Sequence, residues 1–221
     1  MRGKFITFEG GEGSGKSTHA SALAERLKTL AIECVLTREP GGSPGAEIIR
    51  HIILSGIAKP LGAETETILF AAARDDHVRM TIEPALDAGK WVICDRFIDS
   101  TRVYQGALGK VDMKLIRGLE RVTVGAAMPD LTFVLDVPAN IGLARAKTRR
   151  GTAVADRFES EAIEFHEDLR RAFLVLAERE PKRIVVIDGR APRDVVAERI
   201  WATVNVRLLG GLIEIAETVA P

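Results

Sequence analysis

Gly10-Gly11-Glu12-Gly13-Ser14-Gly15-Lys16-Ser17 is the stretch on which the fold turns. It fits G-x-x-x-x-G-K-[ST], and its neighbours give the pattern its setting. Before it, Lys4 to Phe8 is a short apolar run that reads as a strand. After it, Lys16 to Leu30 reads as a helix, with Ala20, Leu23, Ala24, Leu27 and Leu30 at i, i+3, i+4 spacing. A glycine-rich turn from strand to helix lets backbone N–H groups converge on phosphate oxygens, and the helix N-terminus adds partial positive charge. Lys16 has the reach for β- and γ-phosphates, and the Ser17 hydroxyl suits Mg²⁺. Gly10 through Ser17, with Thr18, are therefore the candidate contacts to a nucleoside triphosphate. The pattern alone does not separate a kinase from a GTPase, an ATPase motor or a transporter subunit.

Outward from this loop, strands and helices alternate. Cys34 to Thr37, Trp91 to Asp95, Leu131 to Val137 and Arg183 to Asp188 read as four more strands. Helices are expected over Glu47 to Leu54, Glu64 to Ala88 with a break at Pro84, Asp112 to Gly125, Asn140 to Thr148, Glu159 to Glu178 and Pro192 to Leu208. The strands are nearly continuous apolar runs, as parallel strands covered on both faces should be. The expectation is an α/β P-loop NTPase fold: one domain over residues 1–221, a five-stranded parallel sheet with helices on both faces. Arg149 to Asp156, RRGTAVAD, is a poorly apolar break between two helices and reads as a mobile loop, a lid at about 149–157.

Composition narrows the class. The 221 residues carry 31 basic and 31 acidic side chains, a balance that argues against a nucleic-acid coat or a basic membrane anchor. No apolar run approaches the roughly 18 residues of a membrane span, and the N-terminus enters a strand at once rather than an apolar leader. Cys34 and Cys94 each sit in an apolar run and read as buried structural thiols. Two such cysteines build no disulfide framework, which points to a reducing, cytoplasmic setting. His19, His51, His77 and His166 lie far apart, without metal-ligand spacing.

Two groups of residues suggest a second substrate. Arg38 and Arg96 follow strands two and three, at the edge of a parallel sheet where ligands bind, and two guanidinium groups there suit an acceptor phosphate. Phe70 and Arg74 are four apart on a helix and share a face, a pairing that suits a planar base. Asp75 and Asp76 are expected on the solvated side of the same helix.

Read in order, several short stretches make a specific set. They are Phe8-Glu9-Gly10, Thr37-Arg38-Glu39-Pro40-Gly41-Gly42, Phe70-Ala71-Ala72-Ala73-Arg74 and Asp95-Arg96-Phe97. Ser100-Thr101 and Tyr104-Gln105-Gly106 follow, then Pro129-Asp130-Leu131-Thr132, Leu135-Asp136-Val137 and Asp156-Arg157-Phe158-Glu159. With this set the chain resembles the bacterial thymidylate kinases over nearly its whole length. The resemblance implies a kinase that takes ATP and thymidine monophosphate (dTMP) as substrates, with Mg²⁺, as a homodimer formed through helices.

It implies that Phe70 stacks on thymine, that Arg74 reaches a ring carbonyl, and that Glu9 lies by the acceptor's sugar and phosphate. Ser100, Thr101, Tyr104 and Gln105 fall on the acceptor side, where Tyr104 would crowd a 2′-hydroxyl. Asp95 would hold Mg²⁺ through water, with Ser17. The basic stretch Arg145, Lys147, Arg149, Arg150 and Arg157 resembles a lid over ATP. With glycine at position 13, where some relatives place a basic residue, the cation on the migrating phosphate falls to the lid, Arg150 first and Arg149 next. Lys16 and Arg96 complete the expected catalytic set, and Arg145 and Arg157 the expected ATP contacts.

Three residues depart from the family pattern: Phe97, where tyrosine is usual; Arg102, where a small or neutral residue is expected near the acceptor rim; and Phe173, where tyrosine is common. A kinase for another small acceptor stays open through Glu9, which would serve a hydroxyl acceptor as general base. A regulatory GTPase would carry Asn-Lys-x-Asp after strand four, which here ends Leu135-Asp136-Val137-Pro138.

Overall fold

The computed structural model describes residues 2–151 and 158–211. Among them, strands β1 (Phe5–Glu9), β2 (Cys34–Arg38), β3 (Trp91–Asp95), β4 (Leu131–Asp136) and β5 (Ile184–Asp188) form one sheet. Every pairing is parallel and the order is β2-β3-β1-β4-β5. The helices are α1 (Lys16–Thr29), α2 (Pro44–Leu54), α3 (Gly62–His77), α4 (Glu83–Asp87), α5 (Ile98–Thr101), α6 (Met113–Thr123), α7 (Ala139–Arg150), α8 (Ile163–Arg179) and α9 (Arg193–Leu208). No helix among the described residues is long and apolar enough to cross a membrane.

The two-residue period of the strands divides the core. Ile6, Phe8, Ile93, Leu131, Phe133 and Leu135 face α1 and α9, where Leu23, Leu27, Ile200 and Trp201 pack on them. Phe5, Val92 and Cys94 face the other way, against Val78, Ile82, Leu86, Phe97 and Ile98. Val134 and Ile184 continue that second face under Leu169 and Phe173 of α8. The same alternation aims the acidic residues at the strand ends. Glu9 falls on the α5 side with Phe5 and Thr7, and Asp95 on the α1 side with Ile93.

The structure differs from the sequence reading in four places. The break expected at Pro84 falls before it: α3 passes into a π-helical turn, Val78–Ile82, and restarts as α4 with Pro84 in its first turn. A missing backbone N–H costs nothing there. Residues 98–108, not expected to be helical, form α5 and a second π-helical turn, Arg102–Leu108. β2 is an edge strand, so Cys34 is only half-buried and Leu36 is exposed. Asp76 is not a solvated bystander: its Oδ2 accepts from Ser43 Oγ at 2.6 Å and the Ala46 N–H at 3.1 Å, capping α2 from a distance.

Candidate active site

The P-loop leaves β1 and opens α1 at the sheet's switch point, where the connections from β1 and its neighbour β3 leave in opposite directions. Lys16 is buried, and its Nζ donates to Gly11 O at 2.8 Å, Gly10 O at 3.2 Å and Ser14 Oγ at 3.4 Å. Burial and the neighbouring Arg96 lower its pKa to about 8, against the pull of Glu12, Asp95 and Glu9. Gly13 has φ 65°, and a side chain there would meet Gly142 O of α7 at 1.9 Å. Gly142 in turn lies against Glu12 O, which a Cβ would approach to 2.3 Å. Loop and helix therefore touch backbone to backbone, and position 13 has no room for a basic side chain.

A cleft of about 340 Å³ opens beside this loop. Its walls include Glu12, Lys16, Ser17 and Thr18 from the donor side; Arg38, Phe70, Arg74 and Arg96; and Ser100, Thr101, Tyr104 and Gln105. The structure thus brings the expected donor loop, the two arginines and the expected base-binding pair to one cavity. Gly10, Gly11 and Ser14 stand behind the wall, holding Lys16. Ser17 Oγ donates to Asp95 Oδ2, so the two expected Mg²⁺ ligands touch.

Charge in the cleft is arranged around Arg96. Its φ is 68°, in the left-handed region that a non-glycine residue enters at a cost. The guanidinium pairs with the Glu12 carboxylate, donates to Gly10 O at 3.3 Å and lies over the Tyr104 ring at 5.3 Å. Burial alone would raise the pKa of Glu12, but Arg96, Lys16 and Arg149 hold it at about 2. Arg38 reaches the cleft half-exposed and pairs with Glu47 at 2.9 Å.

Arg74 is buried, with Nε on Glu39 Oε2 at 2.9 Å and Nη2 on Thr101 Oγ1 at 3.0 Å and Phe97 O at 3.3 Å. No group among the described residues takes its Nη1.

Glu9 does not line the cleft. It is fully buried, with Oε1 accepting the Phe97 N–H at 2.8 Å and Oε2 the Ser100 hydroxyl at 2.7 Å. Burial, with the nearby Asp99 carboxylate, raises its pKa to about 7.

A family model described as thymidylate kinase matches residues 8–200. The chain belongs to the thymidylate kinase family. Members are nucleoside monophosphate kinases, and so phosphotransferases. The chain is 61% identical over 211 residues to the thymidylate kinase of Afipia carboxidovorans, covering 96% of this chain and 92% of that one. It is 60% identical to that of Nitrobacter winogradskyi, covering 95% and 91%. The crystal structure of thymidylate kinase from Ehrlichia chaffeensis superposes with a TM-score of 0.75 at 32% identity, covering 92% of this chain and all of that one.

Against the thymidylate kinase pattern, the lid side needs the most revision. Arg149 lines the cleft, whereas Arg150, the first choice from sequence, does not. Both pair with Glu159, and Arg150 Nε is buried without a partner among the described residues. Arg145 is turned away, donating to Gly189 O at 3.0 Å. Arg157, and residues 152–157 of the expected lid, lie outside the described residues.

The three departures each have a packing or pairing partner. Phe97 packs edge-on to Phe5 at 4.9 Å with the Arg74 guanidinium over its ring at 5.2 Å, and Phe173 packs on Tyr104 at 6.4 Å. Arg102 leaves the acceptor rim altogether and pairs with Glu120. Sequence reasoning gave no role to Glu39 or His77. Glu39 holds Arg74 and, through Oε1, accepts from His77 Nδ1–H at 3.1 Å, and His77 Nε2 meets Thr37 Oγ1 at 2.7 Å. The signal for Glu39 was its place between Arg38 and Pro40; His77 stood three residues past Arg74, on the same helical face.

Proposed function

We propose that this chain transfers the γ-phosphate of ATP to dTMP, giving ADP and thymidine diphosphate for dTTP synthesis. One observation carries the reading: a single cleft holds the P-loop, two arginines and a stacking phenylalanine beside a buried guanidinium. Glu39, Thr101 and Phe97 O fix that guanidinium and leave Nη1 for a ring carbonyl. A pyrimidine with a carbonyl at position four satisfies it, and cytosine, with an amino donor there, does not.

The transfer we propose is direct and in line. An acceptor phosphate oxygen is already ionised, so no general base is needed, and Glu9 is enclosed rather than poised over the cleft. Arg38 and Arg96 receive the acceptor phosphate, Lys16 and the loop N–H groups the donor's, and a lid arginine the migrating group. The touching Ser17 hydroxyl and Asp95 carboxylate are a hard oxygen pair that fits Mg²⁺, Asp95 through water. Mg²⁺ bound there would neutralise donor phosphate charge.

We read the chain as one domain with a lid at 149–157, acting in the cytoplasm as a homodimer. The two free cysteines, Cys34 and Cys94, fit a reducing compartment. Ile48 of α2, Ile68 of α3 and Val122 of α6 are 68%, 48% and 78% exposed, on helices that pack together, and offer an apolar face for a second copy. Coupled ADP release across a panel of nucleoside monophosphates tests the acceptor. The expected order is dTMP, then deoxyuridine monophosphate; a higher kcat/KM for a cytidine, adenosine or guanosine monophosphate refutes the assignment.

A further inference from the structure

Residues 98–108 present two faces. Ser100, Thr101, Tyr104 and Gln105 line the cleft. Asp99 and Arg102 turn away from it into a network of charges. Asp99 has no exposed surface. Its two oxygens accept from Arg183 at 2.6 and 2.8 Å, and Oδ1 also accepts from Arg102 at 3.2 Å. Arg102 grips Glu120 of α6 through two bonds of 2.8 and 2.9 Å and reaches Glu180, just past α8, at 2.8 Å. Arg183 closes the ring on Glu180 at 2.7 Å and on Thr132 Oγ1 of β4 at 2.8 Å.

Stability alone does not account for this network. Three carboxylates face two guanidinium groups, and well-packed apolar residues of the same volume are often as stabilising as a buried ion pair. What paired, directional bonds fix, and apolar contacts do not, is geometry. Residues 102–108 need such an anchor, because a π-helical turn interrupts the i→i−4 ladder that sets register in an ordinary helix. A slip of one residue here rotates Tyr104 and Gln105 off the wall.

We propose that Asp99, Arg102 and Arg183 are positioning residues for the acceptor nucleotide, fixing the rotation of the segment whose other face carries Ser100, Thr101, Tyr104 and Gln105. The proposal rests on the reading of that wall as the acceptor site. It gives Arg102 a task that its place near the acceptor rim in the sequence did not suggest.

The test is steady-state kinetics on the full chain, varying dTMP at saturating ATP and ATP at saturating dTMP. Arg102→Ala should raise KM for dTMP about tenfold and leave KM for ATP within about twofold. Arg102→Lys, which keeps the charge but loses the two-bond grip, should fall between Arg102→Ala and the wild type. Phe70→Ala serves as the direct-contact control. A folded Arg102→Ala protein with unchanged KM for dTMP, beside a raised KM in Phe70→Ala, overturns the positioning role alone. Unchanged KM in both removes the acceptor reading of the wall and the proposal with it. A fall in kcat with both KM values constant shows a purely structural network and also overturns it. Should Arg102→Ala fail to fold, Arg102→Lys decides by the same comparison, with about a threefold rise expected.

Discussion

At the scale of single residues, the cleft separates groups that hold charge from groups that hold shape. In the proposed reaction Lys16 and Arg96 face phosphates whose charge shifts during transfer, so Lys16→Ala and Arg96→Ala should each lower kcat at least about a hundredfold. Phe70 lines the cleft, and as the proposed base contact it acts in ground and transition states alike, so Phe70→Ala should raise KM for the acceptor more than it lowers kcat. Equal losses of kcat in all three folded variants would contradict these roles.

Glu9 allows a different test. Its pKa rises from 4.5 to about 7 on folding, through burial first and Asp99 second. Between those values the native state binds more protons than the unfolded one, so stability falls as pH rises through 7. Glu9→Gln removes the titration. Denaturant unfolding of both proteins at pH 5 and pH 8.5 should show the difference moving in favour of the glutamine protein by about 1–3 kcal/mol as pH rises. A difference independent of pH would mean that Glu9 does not titrate in this window. Glu9 also marks a limit of the sequence: its type and position announced an acid by the phosphates, but the Phe97 N–H and Ser100 hydroxyl that enclose it come from a helix the sequence did not disclose.

At the scale of elements, legibility followed periodicity. The strands and the long helices were readable because a face of each is buried and repeats every two or every three to four residues. Residues 98–108 were not readable: a four-residue helix running into a π-helical turn has no sustained 3.6-residue period to recognise. The end of α7 was legible in charge but not in direction. Sequence puts Arg150 ahead of Arg149, and the helix phase instead sends Arg149 to the cleft. Glu159 now holds both arginines, and a bound triphosphate would compete with it. In single-turnover transfer, Arg149→Ala should therefore slow the chemical step by about 2–3 kcal/mol, more than Arg150→Ala, with ADP affinity nearly unchanged in both. A larger loss from Arg150→Ala would restore the order read from sequence, and a wild-type rate in the double variant would remove both from catalysis.

For the whole molecule, the parallel sheet and the placement of the cleft follow from alternating strands and helices and from the P-loop, whereas the strand order β2-β3-β1-β4-β5 does not, because alternation leaves several orders open. The proposed association state does not follow either, because an exposed apolar helix face reads in sequence like any other helix face. Ile68→Glu places a charge on the exposed α3 face without touching the cleft. Sedimentation velocity should show the wild type as a dimer and this variant as monomer at micromolar concentration. A variant that stays dimeric would move the interface elsewhere.

The backbone contact between Gly13 and Gly142 bears on which neighbouring sequences can work. Placing the γ-phosphate cation in the P-loop and placing it in the lid are two ways of meeting one demand, but no single substitution converts this chain from one to the other. An arginine at position 13 collides with Gly142 O and sits at a backbone angle that only glycine adopts freely. Gly13→Arg should therefore fail to rescue Arg149→Ala; the reverse result would show that α7 yields. Until α7 draws back, every intermediate on the path has either no cation or a broken loop. The order of changes is thus constrained, and the chain is kept from a P-loop cation by a contact between two residues that have no side chains.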